Sequence, residues 1–157
     1  MFPREFLWGS PSPHSTIELR MGNKESKSSR LADLTLLGKS GAGPSKDLET
    51  FPNLHPRRDY IVTLQTDEFT CLCPATGQPD FAEIIIRYTP DEKIVESKSF
   101  KLYLWSFRND GIFHEHLANR ILDDFAKTVA PKWCEVTANF KARGGIAITV
   151  TTELRKG

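Results

Sequence analysis

The stretch FAEIIIRYT, Phe81 to Thr89, lies between Pro79 and Pro90 and is rich in β-branched side chains. Branching at Cβ suits the pleated surface of a sheet, and proline cannot continue the ladder of a central strand. The stretch therefore predicts a strand. Its consecutive isoleucines indicate that both faces of this strand are covered.

Three further stretches alternate apolar and polar side chains with a period of two residues, which also predicts strands. They are DYIVTLQT from Asp59, WCEVTANFKA from Trp133 and IAITVTTEL from Ile146. The segment Arg143–Gly145 between the last two supplies glycines for a tight turn. The chain is thus expected to form one hairpin before residue 90 and another after residue 132.

Two amphipathic helices are predicted between the hairpins. The first has an aromatic face and a basic stripe, and we expect Asn109-Asp110-Gly111 to end it. The aromatic face is Phe100, Tyr103, Leu104 and Phe107, and the basic stripe is Lys98, Lys101 and Arg108. The second helix starts at His114 and stops before Pro131, with an apolar face formed by Leu117, Ile121, Phe125 and Val129.

The order of elements is therefore ββααββ, which indicates an α+β protein. The expected architecture is one antiparallel four-stranded sheet with both helices on one face. The opposite face of such a sheet stays uncovered in a monomer, so we expect oligomerisation to cover it.

Length and composition fit one globular domain. The chain has 157 residues, 39% of them hydrophobic and 26% charged, as in ordinary soluble proteins. Its 21 basic and 20 acidic residues leave a net charge of +1, without the basic excess of a nucleic-acid-binding surface. No apolar run approaches the length of a membrane helix or the core of a signal peptide. We therefore expect a cytoplasmic protein without nucleic-acid or membrane partners.

The N-terminal region has a different composition from the rest. Residues 1–30 are expected to form a disordered or extended arm, and residues 31–157 a single domain, whose first apolar patch is LADLTLLG from Leu31. A second methionine, Met21, makes residues 1–20 a candidate upstream extension. The sequence leaves open whether translation starts at Met1 or Met21.

Three cysteines, Cys71, Cys73 and Cys134, are an odd number, which argues against a secreted disulfide framework. Zinc needs about four ligands, usually from two separated pairs, and the cysteines and four histidines offer no such spacing. No metal site is therefore predicted. A redox pair of Cys71 and Cys73 stays open, and Cys134 is expected to be a small buried apolar residue.

The loop FTCLCPATGQPDFAE, Phe69 to Glu83, has two interpretations. It is a plain turn, or it brings the carboxyl group of Asp80 back towards the sulfur of Cys73. A thiol and a carboxylic acid together can add to an electrophilic carbon and protonate the neighbouring atom. From composition alone the plain turn is the simpler interpretation.

The start of the second helix also has two interpretations. Glu115 is an acidic residue in a first helical turn, which stabilises many helices, or it is a carboxylate that binds a guanine-like edge beside the imidazole of His114. Lys98 and Lys101 similarly form a solvated face or hold a phosphorylated cofactor. The residue pattern alone favours the structural interpretation in both cases.

Taken together, the motifs resemble those of the NADPH-dependent 7-cyano-7-deazaguanine reductases, the nitrile reductases of queuosine biosynthesis. The matching pieces are FTCLCPATGQPDFAE, ESKSFKLY from Glu96, FRNDGIFHEH from Phe107 and RGGI from Arg143. The resemblance implies a tunnelling fold, in which sheets of several subunits join into a barrel and active sites lie between subunits.

The resemblance also implies a site residue by residue. Cys73 corresponds to the nucleophile that forms a covalent thioimidate with the nitrile, Asp80 to the proton donor, and Glu115 to the carboxylate that binds the deazaguanine. The further implied residues are His114 for proton transfer and substrate closure, Glu96 and Ser97 for substrate, and Ser97, Lys98, Ser99 and Lys101 for NADPH.

Two alternatives stay open. One is a related tunnelling-fold enzyme that acts on a pterin or purine, such as a cyclohydrolase, for which bound zinc would be the discriminating finding. The other is a non-catalytic purine-binding oligomer, which would not require the nucleophile. Cys71 is a departure from the family pattern, because a thiol two residues before Cys73 introduces a candidate disulfide. The number of subunits and the phosphate that each lysine meets are not predicted.

Overall fold

The computed structural model describes Thr35 and residues 41–156. The predictions about the arm at residues 1–30, the start at Met21 and, apart from Thr35, the apolar patch from Leu31 fall outside the described residues. No described helix has the length and apolar character needed to cross a membrane.

The centre of the fold is a four-stranded antiparallel sheet with strand order β2-β3-β5-β6. Its strands are β2 (Val62–Leu72), β3 (Pro79–Thr89), β5 (Trp133–Arg143) and β6 (Ile146–Arg155). Two helices, α1 (Ser97–Trp105) and α2 (His114–Val129), connect β3 to β5. The predicted α+β class and the ββααββ order are confirmed, since two hairpins flank a helix pair.

Alternation along the strands decides which side of the sheet forms the core. On β3, Ala82, Ile84, Ile86 and Tyr88 are fully or almost fully buried, whereas Ile85 between them is only partly buried. The buried set packs with residues of both helices in one apolar cluster. Both helices therefore lie on one face of the sheet, as predicted.

Helix α2 was predicted with the correct limits, but α1 ends four residues before Asn109. Ser106 donates both its N–H and its hydroxyl to carbonyls one turn earlier, and the N–H of Phe107 bonds to Leu104 O. Hydrogen bonds between residues three positions apart tighten the chain into a turn after α1. Phe107 stays buried against Phe69 and Tyr103 although it lies outside the helix.

A second, two-stranded sheet was not predicted. It pairs β1 (Thr50–Pro52) with β4 (Lys93–Val95). The pairing continues as a hydrogen bond from Glu96 N–H to Glu49 O at 2.8 Å. The small sheet therefore fixes the chain immediately before α1.

Candidate active site

The hairpin turn between β2 and β3 holds Cys73 beside the start of the returning strand. Cys73 N–H donates to Gln78 O and Gly77 N–H donates to Cys73 O, both at 2.8 Å. Gly77 has a φ of 68°, a conformation that side chains disfavour. Because Cys71 pairs with Asp80 in the ladder, the turn places Cys73 and Asp80 at the same end of the hairpin.

The carboxyl group of Asp80 is buried and faces two basic side chains. Its Oδ1 lies 2.9 Å from Arg143 Nη1, and its Oδ2 lies 3.2 Å from His114 Nε2. Oδ2 nevertheless has no hydrogen-bond partner in the described structure, so the approach of His114 lacks hydrogen-bonding geometry. His114 itself is held by stacking on Phe140, with ring centroids 3.7 Å apart.

The thiol of Cys73 is activated by its surroundings. A hydrogen bond with the Thr76 side chain lowers its pKa to about 6, helped by Arg143 and by the backbone N–H groups of Ala75 and Thr76. In contrast, burial raises the pKa of Cys71 to about 11 and that of Cys134 to about 12. Since the thiolate is the nucleophilic form, Cys73 is the cysteine of this chain that most readily reaches that form. All three cysteines are free in the structure.

The segment from Asp110 to Ile112 is hydrogen-bonded to Leu72, next to the Cys73 turn, and leads into α2. Leu72 N–H donates to Asp110 O at 3.0 Å, and Ile112 N–H donates to Leu72 O at 3.1 Å. A Cβ on Gly111 would lie 3.2 Å from Pro74 Cα, so glycine permits this close approach. The segment thereby links the Cys73 turn to His114.

Glu115 follows His114 in the first turn of α2 and is exposed. The cap residue Phe113 provides no side-chain hydrogen bond to the helix N-terminus, and Glu115 is the acidic residue of the first turn, where a negative charge stabilises a helix. The carboxylate forms no hydrogen bond among the residues described.

The predicted cofactor run divides into a buried and a surface part. The carboxylate of Glu96 caps α1 by accepting from Lys98 N–H and Ser99 N–H. The Ser99 hydroxyl is fully buried, donates to Glu96 O and accepts from Glu49 N–H. Within this chain Glu96 and Ser99 therefore order the helix start, whereas Ser97 and Lys101 are exposed.

A groove of about 870 Å³ runs between β2 and α1. Its walls include Ser97, Lys101 and Arg108, with Phe100 and Trp105 as aromatic surfaces. None of the side chains that act on Cys73 or on the Asp80 carboxyl group lines this groove. The structure therefore brings Cys73, Asp80 and His114 together, but it places Ser97, Lys101 and Arg108 in a separate cleft of the same chain.

Two residues of the Cys73 cluster were missed as functional candidates. Arg143 was assigned to a flexible turn, and Thr76 to a plain loop. Only the position of Arg143 before two glycines, within a family motif, signalled its importance. In residues 41–156, no group of three or more His, Cys, Asp or Glu side chains is arranged to hold a metal ion.

Comparison with known proteins settles the family. Residues 79–157 match the family model described as "QueF-like protein". A protein of Syntrophus aciditrophicus is 64% identical over 126 residues, which cover 80% of this chain and 89% of that protein. The chain belongs to the QueF-like family.

Other relatives agree. The proteins of Alkalilimnicola ehrlichii and Thermomicrobium roseum are 58% and 55% identical, each over 72% of this chain and 88% of the relative. All three relatives bear the name NADPH-dependent 7-cyano-7-deazaguanine reductase. The family predicted from the sequence motifs is therefore confirmed.

A solved structure supports the fold. The apo form of the archaeosine synthase QueF-Like is 28% identical, with a TM-score of 0.56 over 59% of this chain and 91% of that chain. More than half of this chain thus has a counterpart of known structure.

Proposed function

We propose that this chain catalyses the NADPH-dependent reduction of the nitrile of 7-cyano-7-deazaguanine to 7-aminomethyl-7-deazaguanine, in the biosynthesis of queuosine. The relatives named above are reductases of this nitrile. The observation that carries the proposal is the Cys73 thiol, whose pKa is lowered to about 6 next to the buried Asp80. A binding protein would have no need of an activated nucleophile.

Cys73 acts on the nitrile carbon. A nitrile accepts hydride poorly, and addition of the thiolate converts it into a thioimidate with a more electrophilic carbon. The hairpin turn fixes the sulfur through both backbone hydrogen bonds of Cys73. A covalent bond to Cys73 also keeps the partly reduced substrate in the site between two reduction steps.

Asp80 and His114 handle the proton on the nitrile nitrogen. Asp80 lies at the same end of the hairpin as Cys73, so its carboxyl group can protonate the nitrogen while the sulfur attacks the carbon. His114 Nε2 lies 3.2 Å from Asp80 Oδ2, and a rotation of the imidazole into hydrogen-bonding geometry would let it renew that proton. Glu115 binds the deazaguanine ring at the N-terminus of α2.

The groove beside α1 fits a phosphorylated dinucleotide. Lys101 and Arg108 supply positive charge for phosphate groups, and Phe100 and Trp105 supply apolar surface for its rings. Two NADPH molecules would supply the two hydride equivalents that the reduction of a nitrile to an amine requires. Ser97 lines the same groove at the start of α1, and Lys98 beside it is a further candidate for the phosphate groups.

The separation of groove and nucleophile supports a site assembled between subunits. The outer edges of β2 and β6 have no partner strand in the described chain, and exposed apolar side chains lie near them, namely Ile61, Ile146 and Leu154. A homo-oligomer that joins these edges would form a barrel and bring the groove of one subunit to Cys73 of another. Three free thiols fit a reducing, cytoplasmic location.

The test is turnover and adduct formation with 7-cyano-7-deazaguanine and NADPH. We expect Cys73→Ala to abolish both. Asp80→Asn should slow turnover by about 10²–10⁴-fold with little change in substrate binding, while Asp123→Asn, which changes an exposed carboxylate on α2, should leave turnover unchanged. Unchanged turnover in Cys73→Ala would contradict the proposal, and stoichiometric zinc in an inactive protein would favour a cyclohydrolase-like reaction.

A further inference from the structure

Arg143 forms an ion pair with Asp80 and also influences Cys73, the two groups on which the proposed reaction depends. It lies at the end of β5, where the register with β6 shifts between Phe140 and Arg143. The shift and the following glycine turn direct its guanidinium across the hairpin end, where Nη1 lies 2.9 Å from Asp80 Oδ1. The same guanidinium helps to lower the pKa of the Cys73 thiol. One cation thus acts on both the sulfur and the carboxyl group.

The two oxygens of Asp80 are consequently unequal. Oδ1 is held by Arg143, whereas Oδ2 is buried and has no hydrogen-bond partner in the described structure. A buried carboxyl oxygen without a partner costs free energy. A ligand group that exchanges a proton with Oδ2 would remove that cost.

We propose that Arg143 is a positioning residue that fixes Asp80 through Oδ1 and stabilises one negative charge on either Cys73 or Asp80, so that Oδ2 is the oxygen that delivers the proton to the nitrile nitrogen. This inference rests on the proposed function. It assigns to Arg143 a task in forming the covalent adduct, which precedes any contact with NADPH.

The steps balance. Cys73 and Asp80 share one proton, and when Asp80 Oδ2 carries that proton the sulfur is a thiolate beside the guanidinium. The thiolate forms the C–S bond, one C–N π bond breaks, and its electron pair goes to nitrogen, which takes the proton from Oδ2. Asp80 is then a carboxylate that faces Arg143. The guanidinium stays protonated throughout, so it stabilises the charge before and after the transfer.

The electrostatics of Cys73 agree with this task. The hydrogen bond with Thr76 lowers the pKa of Cys73 the most, and Arg143 lowers it next. The other titratable groups that face this cluster are Asp80 itself, His114 on α2 and Cys71 on β2. Loss of Arg143 should therefore raise the pKa of Cys73 only in part, because Thr76 and the backbone N–H groups stay in place.

The experiment compares Arg143→Met, Arg143→Lys and, as the matched control, Lys141→Met, an exposed charge two residues earlier on β5. One measurement is the pH dependence of Cys73 alkylation by iodoacetamide without substrate. The other is the rate of adduct formation with 7-cyano-7-deazaguanine without NADPH, by intact mass. Omitting NADPH removes any effect of the variants on cofactor binding.

For Arg143→Met we expect the alkylation midpoint to move to higher pH and the adduct rate to fall about 10²-fold. Arg143→Lys should recover part of both, because it keeps the charge but loses the planar fork. Lys141→Met should match the unaltered protein. Circular dichroism verifies folding, and Arg143→Lys decides the question if Arg143→Met does not fold.

An adduct rate or an alkylation profile that is unchanged in the folded Arg143 variants would overturn the inference. If the unaltered protein forms no adduct at all, the proposed function fails, and this result is distinct because alkylation still reports on Arg143 without substrate.

Discussion

Single residues in this chain differ in reactivity because their surroundings differ. Cys71 and Cys134 are fully buried on the core side of the sheet, where a thiolate would lack both water and a counter-charge. Cys73 lies at the end of the hairpin, where hydrogen-bond donors surround its sulfur. The difference between these cysteines is therefore set by position along one sheet.

The reactivity of the cysteines can be tested by labelling. Because the pKa of Cys73 is about 6, the rate of its alkylation by iodoacetamide should rise through that pH and level off above it. Cys71 and Cys134 should react only after unfolding. Peptide mapping by mass spectrometry identifies the labelled residue, with Cys73→Ala as the control. Labelling of Cys71 before Cys73 in the folded protein would contradict this assignment.

The resemblance of motifs reached Cys73, Asp80 and His114 from the sequence, and the structure places them together. The ion pair between Arg143 and Asp80 could not be predicted, because these residues lie 63 positions apart and meet only through a register shift in the last hairpin. No local pattern encodes such a contact. The capping role of Glu96 was also hidden, since the same motif suggests a ligand contact.

At the scale of elements, α1 depends on its first turn. The Glu96 carboxylate satisfies two of the N–H groups that every helix leaves unpaired at its N-terminus. We expect Glu96→Ala to lower the free energy of unfolding by about 0.5–2 kcal/mol. Urea denaturation at a fixed protein concentration measures this change, and Glu92→Ala, which removes an exposed carboxylate, should have little effect. Equal effects of the two substitutions would contradict the capping role.

The C-terminus of α2 offers a stabilising change. Ala130 caps this helix in the left-handed conformation, with a φ of 50°, which glycine adopts without steric cost. We expect Ala130→Gly to raise the free energy of unfolding by about 0.5–1 kcal/mol, whereas Ala126→Gly inside the helix should lower it by about 1 kcal/mol. Thermal denaturation distinguishes the two variants. A loss of stability in Ala130→Gly would show that the cap is not strained.

Long elements were predictable because periodicity is a local property. The strands β5 and β6 and the helix α2 follow their hydrophobic patterns closely, whereas β2 and β3 extend into the predicted loop from Phe69 to Glu83, because their hairpin ladder continues to Leu72 and Pro79. The three-residue strands β1 and β4 are too short to show a period, and Phe107 continues the helical spacing of α1 although it lies in a turn. Tertiary contacts, which the sequence pattern does not display, decided both cases.

At the scale of the whole molecule, the groove beside α1 and the Cys73 cluster do not meet within one chain. If the active site takes the groove from one subunit and Cys73 from another, variants defective in different parts should complement each other. We expect Cys73→Ala and the double variant Lys101→Ala/Arg108→Ala to be inactive alone. Their mixed oligomers should regain up to about a quarter of the activity, because random assembly restores that share of sites.

The matched control is a mixture of Cys73→Ala with Asp80→Asn, whose changed residues lie in the same cluster and should not complement. Size-exclusion chromatography with light scattering verifies that mixed oligomers form. Mixed oligomers that stay inactive would contradict a site shared in this way.

The most direct measurement is the intact mass of the protein after incubation with 7-cyano-7-deazaguanine in the absence of NADPH. We predict one added substrate mass per chain, located on Cys73 by peptide mapping and missing from Cys73→Ala. NADPH consumption by Cys73→Ala at the rate of the unaltered protein, with no added mass on either, would contradict covalent catalysis by this thiol.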